Sequence, residues 1–322
     1  MRMRRGRVVT GLAAVVASAA AAGGVVAATQ SSDEAALQPA RGAASQNVER
    51  RVNALLKQMT LPEKLAQIQL LSDGQINKTP DEAKKPIGGV FSLTDPVLIN
   101  KYQKMAVEES RLGIPILFAF DTIHGFRTIF PIPLGAASSF DPNVAAQDHK
   151  FGARESAAVG LKQIYSPMVD VSHEPRWGRI SEAGGEDPYL NSVFAAARVK
   201  AAQGRDYNTT DMSVQRLHNL YLPPFKAAID AGSDTAMCSF NAINGSPGCA
   251  DRQLETDLLK KQWGFDGFIE SDYTAVAELR ACPPVEPDAT VQAECGHGIA
   301  EDGPGAAAAA LNAGTDSEMV SK

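Results

Sequence analysis

Before Asp33 the chain carries no acidic residue, and beyond its N-terminal stretch no apolar run approaches membrane length. No glycine-rich phosphate loop follows the first expected strand, which argues against nucleotide binding. The four cysteines, Cys238, Cys249, Cys282 and Cys295, lack the spacing of a zinc site. No repeat of solenoid period is visible. A basic surplus is missing too: the formal charge is −6, which argues against nucleic acid and anionic lipid as partners.

The acid-free start holds Arg2, Arg4, Arg5 and Arg7, then an Ala/Val-rich stretch from Val8 to Ala28. A basic head, an apolar middle and small residues for cleavage make a secretory signal over residues 1–28. A membrane anchor is the alternative, but Ala and Gly dilute the hydrophobicity. Arg4-Arg5 also permits a twin-arginine route. With the signal removed, no stable membrane insertion is expected, the charge moves to about −10, and about 290 residues remain. Residues 29–47 form a polar linker and residues 48–322 the domain proper. In an exported chain four cysteines can form two disulfides. Sequence-local pairing gives Cys238 with Cys249 and Cys282 with Cys295; a buried free thiol at Cys238 is the alternative.

Along the domain, helical and strand patterns alternate. Val48 to Met59 has helical spacing, and Thr60-Leu61-Pro62-Glu63 reads as a capping box opening a helix that contains Leu65 and Ile68. Strands are expected at Ile87–Phe91, Ile116–Phe120, Ile164–Val171, Thr235–Phe240, Gly267–Ile269 and Gly314–Met319. Helices are expected at Pro96–Ser110, Asp141–Val159 with Gly160 as stop, Asn191–Gln203, Ser213–Ala231, Leu254–Trp263 and Gly303–Asn312. This order predicts α/β architecture, a (β/α)8 TIM-type barrel, with a doubly wound sheet as alternative. Only about six strands are visible. Two helices follow one another after Asn191, so one strand–helix unit is missing and the barrel is incomplete.

Polar clusters close the expected strands, where α/β barrels place their chemistry. Asp121-Thr122-Ile123-His124-Gly125 follows the second strand; Asp121 either accepts sugar hydroxyls or caps the next helix, and His124 reads as structural. The segment from Asp170 to Tyr189 joins Arg176, Trp177 and Arg179 to several acids. That is either a carbohydrate-binding loop or an Arg/Glu salt-bridged one. Glu270 and Asp272 lie two apart on one strand, facing the same side about 6.5–7 Å apart. This exceeds the ~5–5.5 Å of retaining carboxylate pairs and only touches the lower end of the inverting range. Asp272 is the candidate catalytic group, and Glu270 is expected to pair with an arginine inside the barrel mouth.

Taken in order, Arg111-Leu112-Gly113-Ile114-Pro115, Phe118–Gly125, Thr128-Ile129-Phe130-Pro131 and Ser166–Val171 form the first half of a distinctive set. Pro175-Arg176-Trp177-Gly178-Arg179, Gly185-Glu186-Asp187-Pro188-Tyr189, Asp206–Thr209, Leu222-Pro223-Pro224-Phe225 and Gly267–Asp272 complete it. The set resembles glycoside hydrolase family 3, bacterial β-glucosidase type, over Asn47 to Met319. The resemblance implies Asp272 as the nucleophile of a retaining mechanism and Asp121 and Arg176 as substrate-binding residues. It also puts Phe240 and Tyr273 in the substrate-binding set. A β-linked oligosaccharide or glucoside is the implied partner, with no cofactor and no metal. A secreted, periplasmic or cell-envelope location follows from the signal.

Two departures from the family pattern stand out. Relatives carry a strand ending in a Lys-His pair where Gln203 here runs straight into Gly204. They also continue into a sandwich domain that supplies the acid/base glutamate, beyond the position of Lys322. Two readings result: an exported β-glucosidase-type hydrolase removing terminal β-D-glucosyl residues, or a catalytically incomplete fragment that at most binds glycans.

Overall fold

The structure, a computed structural model, describes residues 47–199, 209–210, 212–281 and 296–320. The expected signal, the linker up to residue 46, and the pair Cys282 and Cys295 lie outside the described residues. The chain divides into two units, 1–58 and 59–322. In the first, residues 47–58 form helix α1.

The second unit opens as its caps dictate. Thr60 accepts the Glu63 N–H while the Glu63 carboxylate reaches back to the Thr60 N–H, and helix α2 runs over Leu61–Gln67. It stops at Gln67, so Ile68 falls outside it and leads into a strand that periodicity missed, β1 (Gln69–Ser72). That strand is four residues long and abuts helix α3 (Asp73–Lys78), so its own pattern is too brief to separate from its helical neighbours. β2 (Gly89–Phe91), α4 (Pro96–Lys104), β3 (Leu117–Asp121), α5 (Pro133–Ala137), α6 (Pro142–Val159) and β4 (Gln163–Tyr165) follow. Asp141 caps α6 and Gly160, at φ +107°, ends it in the left-handed conformation that a Cβ would oppose.

β4 is shorter than the expected Ile164–Val171, because Pro167 has no N–H to give a ladder. Then come α7 (Pro188–Val199), β5 (Thr209–Thr210), α8 (Val214–Arg216), α9 (Leu222–Asp230) and β6 (Thr235–Cys238). A small hairpin, β7 (Ala242–Ile243) and β8 (Ser246–Pro247), precedes a π-wound helical segment, Gln253–Gln262. β9 (Phe268–Ser271), α10 (Gly303–Ala313) and β10 (Glu318–Met319) complete the order. Gly267 lets β9 start tight against its neighbour, since a Cβ there would sit 2.1 Å from the Asp234 carbonyl oxygen.

One parallel sheet has the order β10-β1-β2-β3-β4, and β6 pairs in parallel with β9. A parallel bridge between Glu270 and Ser317 joins the two pieces. Seven parallel strands therefore curl round, β6-β9-β10-β1-β2-β3-β4, and among the described residues no ladder links β4 to β6. The barrel is incomplete, as expected, with seven strands rather than six.

Side-chain alternation assigns inside and outside. Leu70, Ala119, Tyr165 and Met319, with Phe91 and Met237, fill the interior. Val90 and Phe118, fully buried, point out to Ile99, Tyr102 and Ile76 under the helices. Burial of each such side chain contributes about 1.5–3 kcal/mol. The same period aims Asp121 and Glu270 inward at the C-terminal ends of their strands.

Candidate active site at the open end of the barrel

β9 delivers Glu270 and, just past its end, Asp272 on the inner face. Both are buried. The Asp272 N–H donates to the Cys238 carbonyl of β6 at 3.3 Å, and its Oδ1 accepts the Tyr273 N–H at 2.6 Å. The chain then turns through Thr274, a β-branched residue at φ +59°. Ser92, directly after β2, and Val320, directly after β10, are left-handed as well. Such backbone costs roughly 1–3 kcal/mol per residue. Here it gathers at the strand ends that surround the carboxylates.

Asp121 stands at the end of β3, in register with Tyr165 of β4. The loop after it is braced from α6: the Glu155 carboxylate accepts the N–H groups of Arg127 and Thr128 and the Thr128 hydroxyl, at 2.9, 2.8 and 2.6 Å. His124 Nδ1–H donates to the Phe130 carbonyl at 3.0 Å, the structural role expected of it.

One cation organises the carboxyls. Arg179 is clamped by both oxygens of Glu182, at 2.9 and 2.6 Å, and its charge reaches Asp121, Asp170 and Asp272. Desolvation pushes all three carboxyls up and Arg179 opposes it; desolvation wins at each. Asp121 and Asp170 are raised to about 6. Asp272 is raised by burial, with the charges of Asp121 and Glu278 adding to the effect. The guanidinium thus offsets only part of the desolvation at each carboxyl.

Glu270 lies deeper, and its Oε2 accepts from Gln163 Nε2 of β4 at 2.9 Å. Burial raises it to about 7. The expectation of an arginine partner is corrected: Arg179 is held at the mouth by Glu182, and the layer at Glu270's depth offers Gln163 and Tyr165.

The proposed substrate-binding residues do not all converge. Asp121 and Tyr273 reach the mouth, and the Tyr273 side chain is half open to solvent. Arg176 points outward, its guanidinium paired with Glu174 at 2.8 and 2.6 Å and its side chain 88% exposed. Phe240 is buried in the cluster of Ala236, Phe265 and Ile269, and its carbonyl accepts from His297 Nε2–H at 2.9 Å. Sequence reasoning passed over Arg179, whose spacing of three from Glu182 was the available signal. Asp187 turns out to be a helix cap, its Oδ1 accepting the Leu190 N–H. Cys238 and Cys249 are joined by a disulfide, which closes the free-thiol alternative. Among the described residues no cluster of metal-binding side chains occurs, and no helix is long and apolar enough to cross a membrane.

Comparison with known proteins places this geometry. The glycosyl hydrolase family 3 N-terminal domain matches residues 60–207 and 194–322, two stretches that overlap over 194–207; the expected gap after Gln203 lies outside the described residues. A periplasmic beta-glucosidase of Salmonella typhimurium is 39% identical over 300 residues, 84% of this chain and 37% of that protein. A beta-xylosidase of Formosa agariphila is 30% identical over 86% of this chain and 37% of that protein. The crystal structure of a beta-glucosidase from Listeria innocua in complex with isofagomine superposes with a TM-score of 0.75. It is 32% identical and aligns over 84% of this chain and 41% of that one. The chain thus spans less than half the length of these relatives. By the match over most of its length, the chain belongs to glycosyl hydrolase family 3, through that family's N-terminal domain.

Proposed function

We propose that this chain is the barrel part of an exported glycoside hydrolase that removes terminal β-D-glucosyl residues from β-glucosides or oligosaccharides. The observation that carries the reading is Asp272 at the lip of β9, with the Arg179 charge reaching both it and Asp121. In this scheme Asp121 accepts hydroxyl donors of the terminal sugar and Arg179 balances the charge. The ionised Asp272 attacks the anomeric carbon and forms a glycosyl ester as the glycosidic C–O bond breaks. The leaving oxygen takes its proton from a carboxyl acid, and water then attacks the ester while the same group receives the water's proton. We assign that acid/base to a further segment docking over the mouth, as the resemblance to relatives with a sandwich domain implies. Export rests on the basic and apolar start of the sequence and on the periplasmic relative.

The test is hydrolysis of a fluorogenic β-glucoside. Turnover should fall by at least about 10³-fold in Asp272→Asn, and the first-formed sugar should be the β-anomer by NMR. Turnover that survives the substitution would sink the assignment. The lack of a ladder between β4 and β6 among the described residues, with the outward Arg176, favours a second reading, a glycan-binding domain without turnover. Sugar binding at buffer-level hydrolysis would select it.

A further inference from the structure

Against β6–β9 and the helices over them lies a cavity of about 290 Å³, whose lining reaches Met237 of the interior and Asp170. It sits on the side where β4 and β6 are not joined among the described residues. Leu222, Phe225, Ala236, Leu259 and Ile269 supply apolar wall. At the rim His173 meets Tyr221 edge to face, ring centroids 6.0 Å apart. None of Asp121, Asp272 and Tyr273 lines it.

Size and chemistry narrow the occupant. An apolar cavity of about 150 Å³ stays dry and takes benzene; this one has room for a substituted ring. The Ser172 hydroxyl in the wall is unanswered. Ser172 is 5% exposed and its Oγ makes no hydrogen bond, although its N–H is satisfied by the Gly185 carbonyl at 2.9 Å. Leaving such a hydroxyl buried and unpaired is costly, and a ligand hydroxyl would relieve it. We propose that this cavity is a binding site for a small phenol or aryl alcohol, with the ring between Phe225 and Ile269 and the hydroxyl on Ser172 Oγ. Of Asp121, Asp170 and Asp272, Asp170 alone lines it, so the proposal does not depend on hydrolysis.

The experiment is calorimetric titration of the full chain with phenol, benzyl alcohol and toluene, toluene matching phenol in shape without its hydroxyl. Saturable one-to-one binding of phenol is expected. Ser172→Ala should weaken phenol about fivefold, with toluene unchanged within about twofold. Ala236→Leu should abolish binding of both by filling the cavity; if that variant does not fold, Leu222→Phe takes its place. Absence of saturable binding overturns the proposal, as does equal loss of phenol and toluene in Ser172→Ala. A crystal soaked in phenol that shows the ring elsewhere, or the cavity filled by the chain itself, overturns it too.

Discussion

Two arginines three residues apart behave oppositely in this site. Arg176 faces water and clasps Glu174, whereas Arg179 turns in toward three carboxyls. Arg176→Ala should therefore change stability by less than about 1 kcal/mol, because exposed ion pairs contribute little. It should leave sugar affinity nearly unaltered by titration. Arg179→Ala should reduce kcat/KM at least about tenfold. It should also move the acid limb of the pH–rate profile upward, since the charge that lowers Asp272 is gone. Asp272 was legible in the sequence because an apolar run ends there on carboxylates. The division of labour between the arginines was not. Which side chain of a tight turn folds inward depends on neighbours such as Glu182 and Asp170, brought together only by the fold.

At the scale of elements, caps carried most of the legible information. Thr60 with Glu63 and Asp141 with Pro142 marked helix starts that the structure reproduces. β1 escaped because a four-residue strand between two helices shows no period of its own. The brace from α6 to the loop after β3 also escaped, since Glu155 lies 27 residues from Thr128. Glu155→Gln removes the charge that three donors share. Amide exchange at Arg127 and Thr128 should accelerate about tenfold or more, with the rest of α6 unchanged. Mass-spectrometric exchange reads this directly.

For the whole unit, desolvated carboxyls and the Cys238–Cys249 disulfide set the conditions of stability. Asp121, Asp170, Glu270 and Glu255 are all raised by desolvation, to about 6, 6, 7 and 8. The native state therefore keeps protons that the unfolded chain releases from about pH 4 upward. Stability from these groups is full below the unfolded values and is lost as pH rises toward 8. The half-buried Glu63 and Glu155 and the exposed Glu174 shift downward and act oppositely, and solvent screening reduces their weight. Tm should fall by about 3 °C or more between pH 5 and 8 in a thermal melt. The Cys238–Cys249 link closes a loop of sequence separation 11, and its replacement by two serines should cost about 3 kcal/mol in a denaturant titration.

The bond from Gln163 to Glu270 has a mechanical consequence. β4 and β9 share no ladder among the described residues, so this bond joins them directly across the interior of the curl, like a tie inside a tube. Tyr165 of β4, packed with Met237 and Met319, reinforces it from the same strand. The spacing between the Asp121 and Asp272 ends of the cylinder therefore depends in part on whether that cross-link holds.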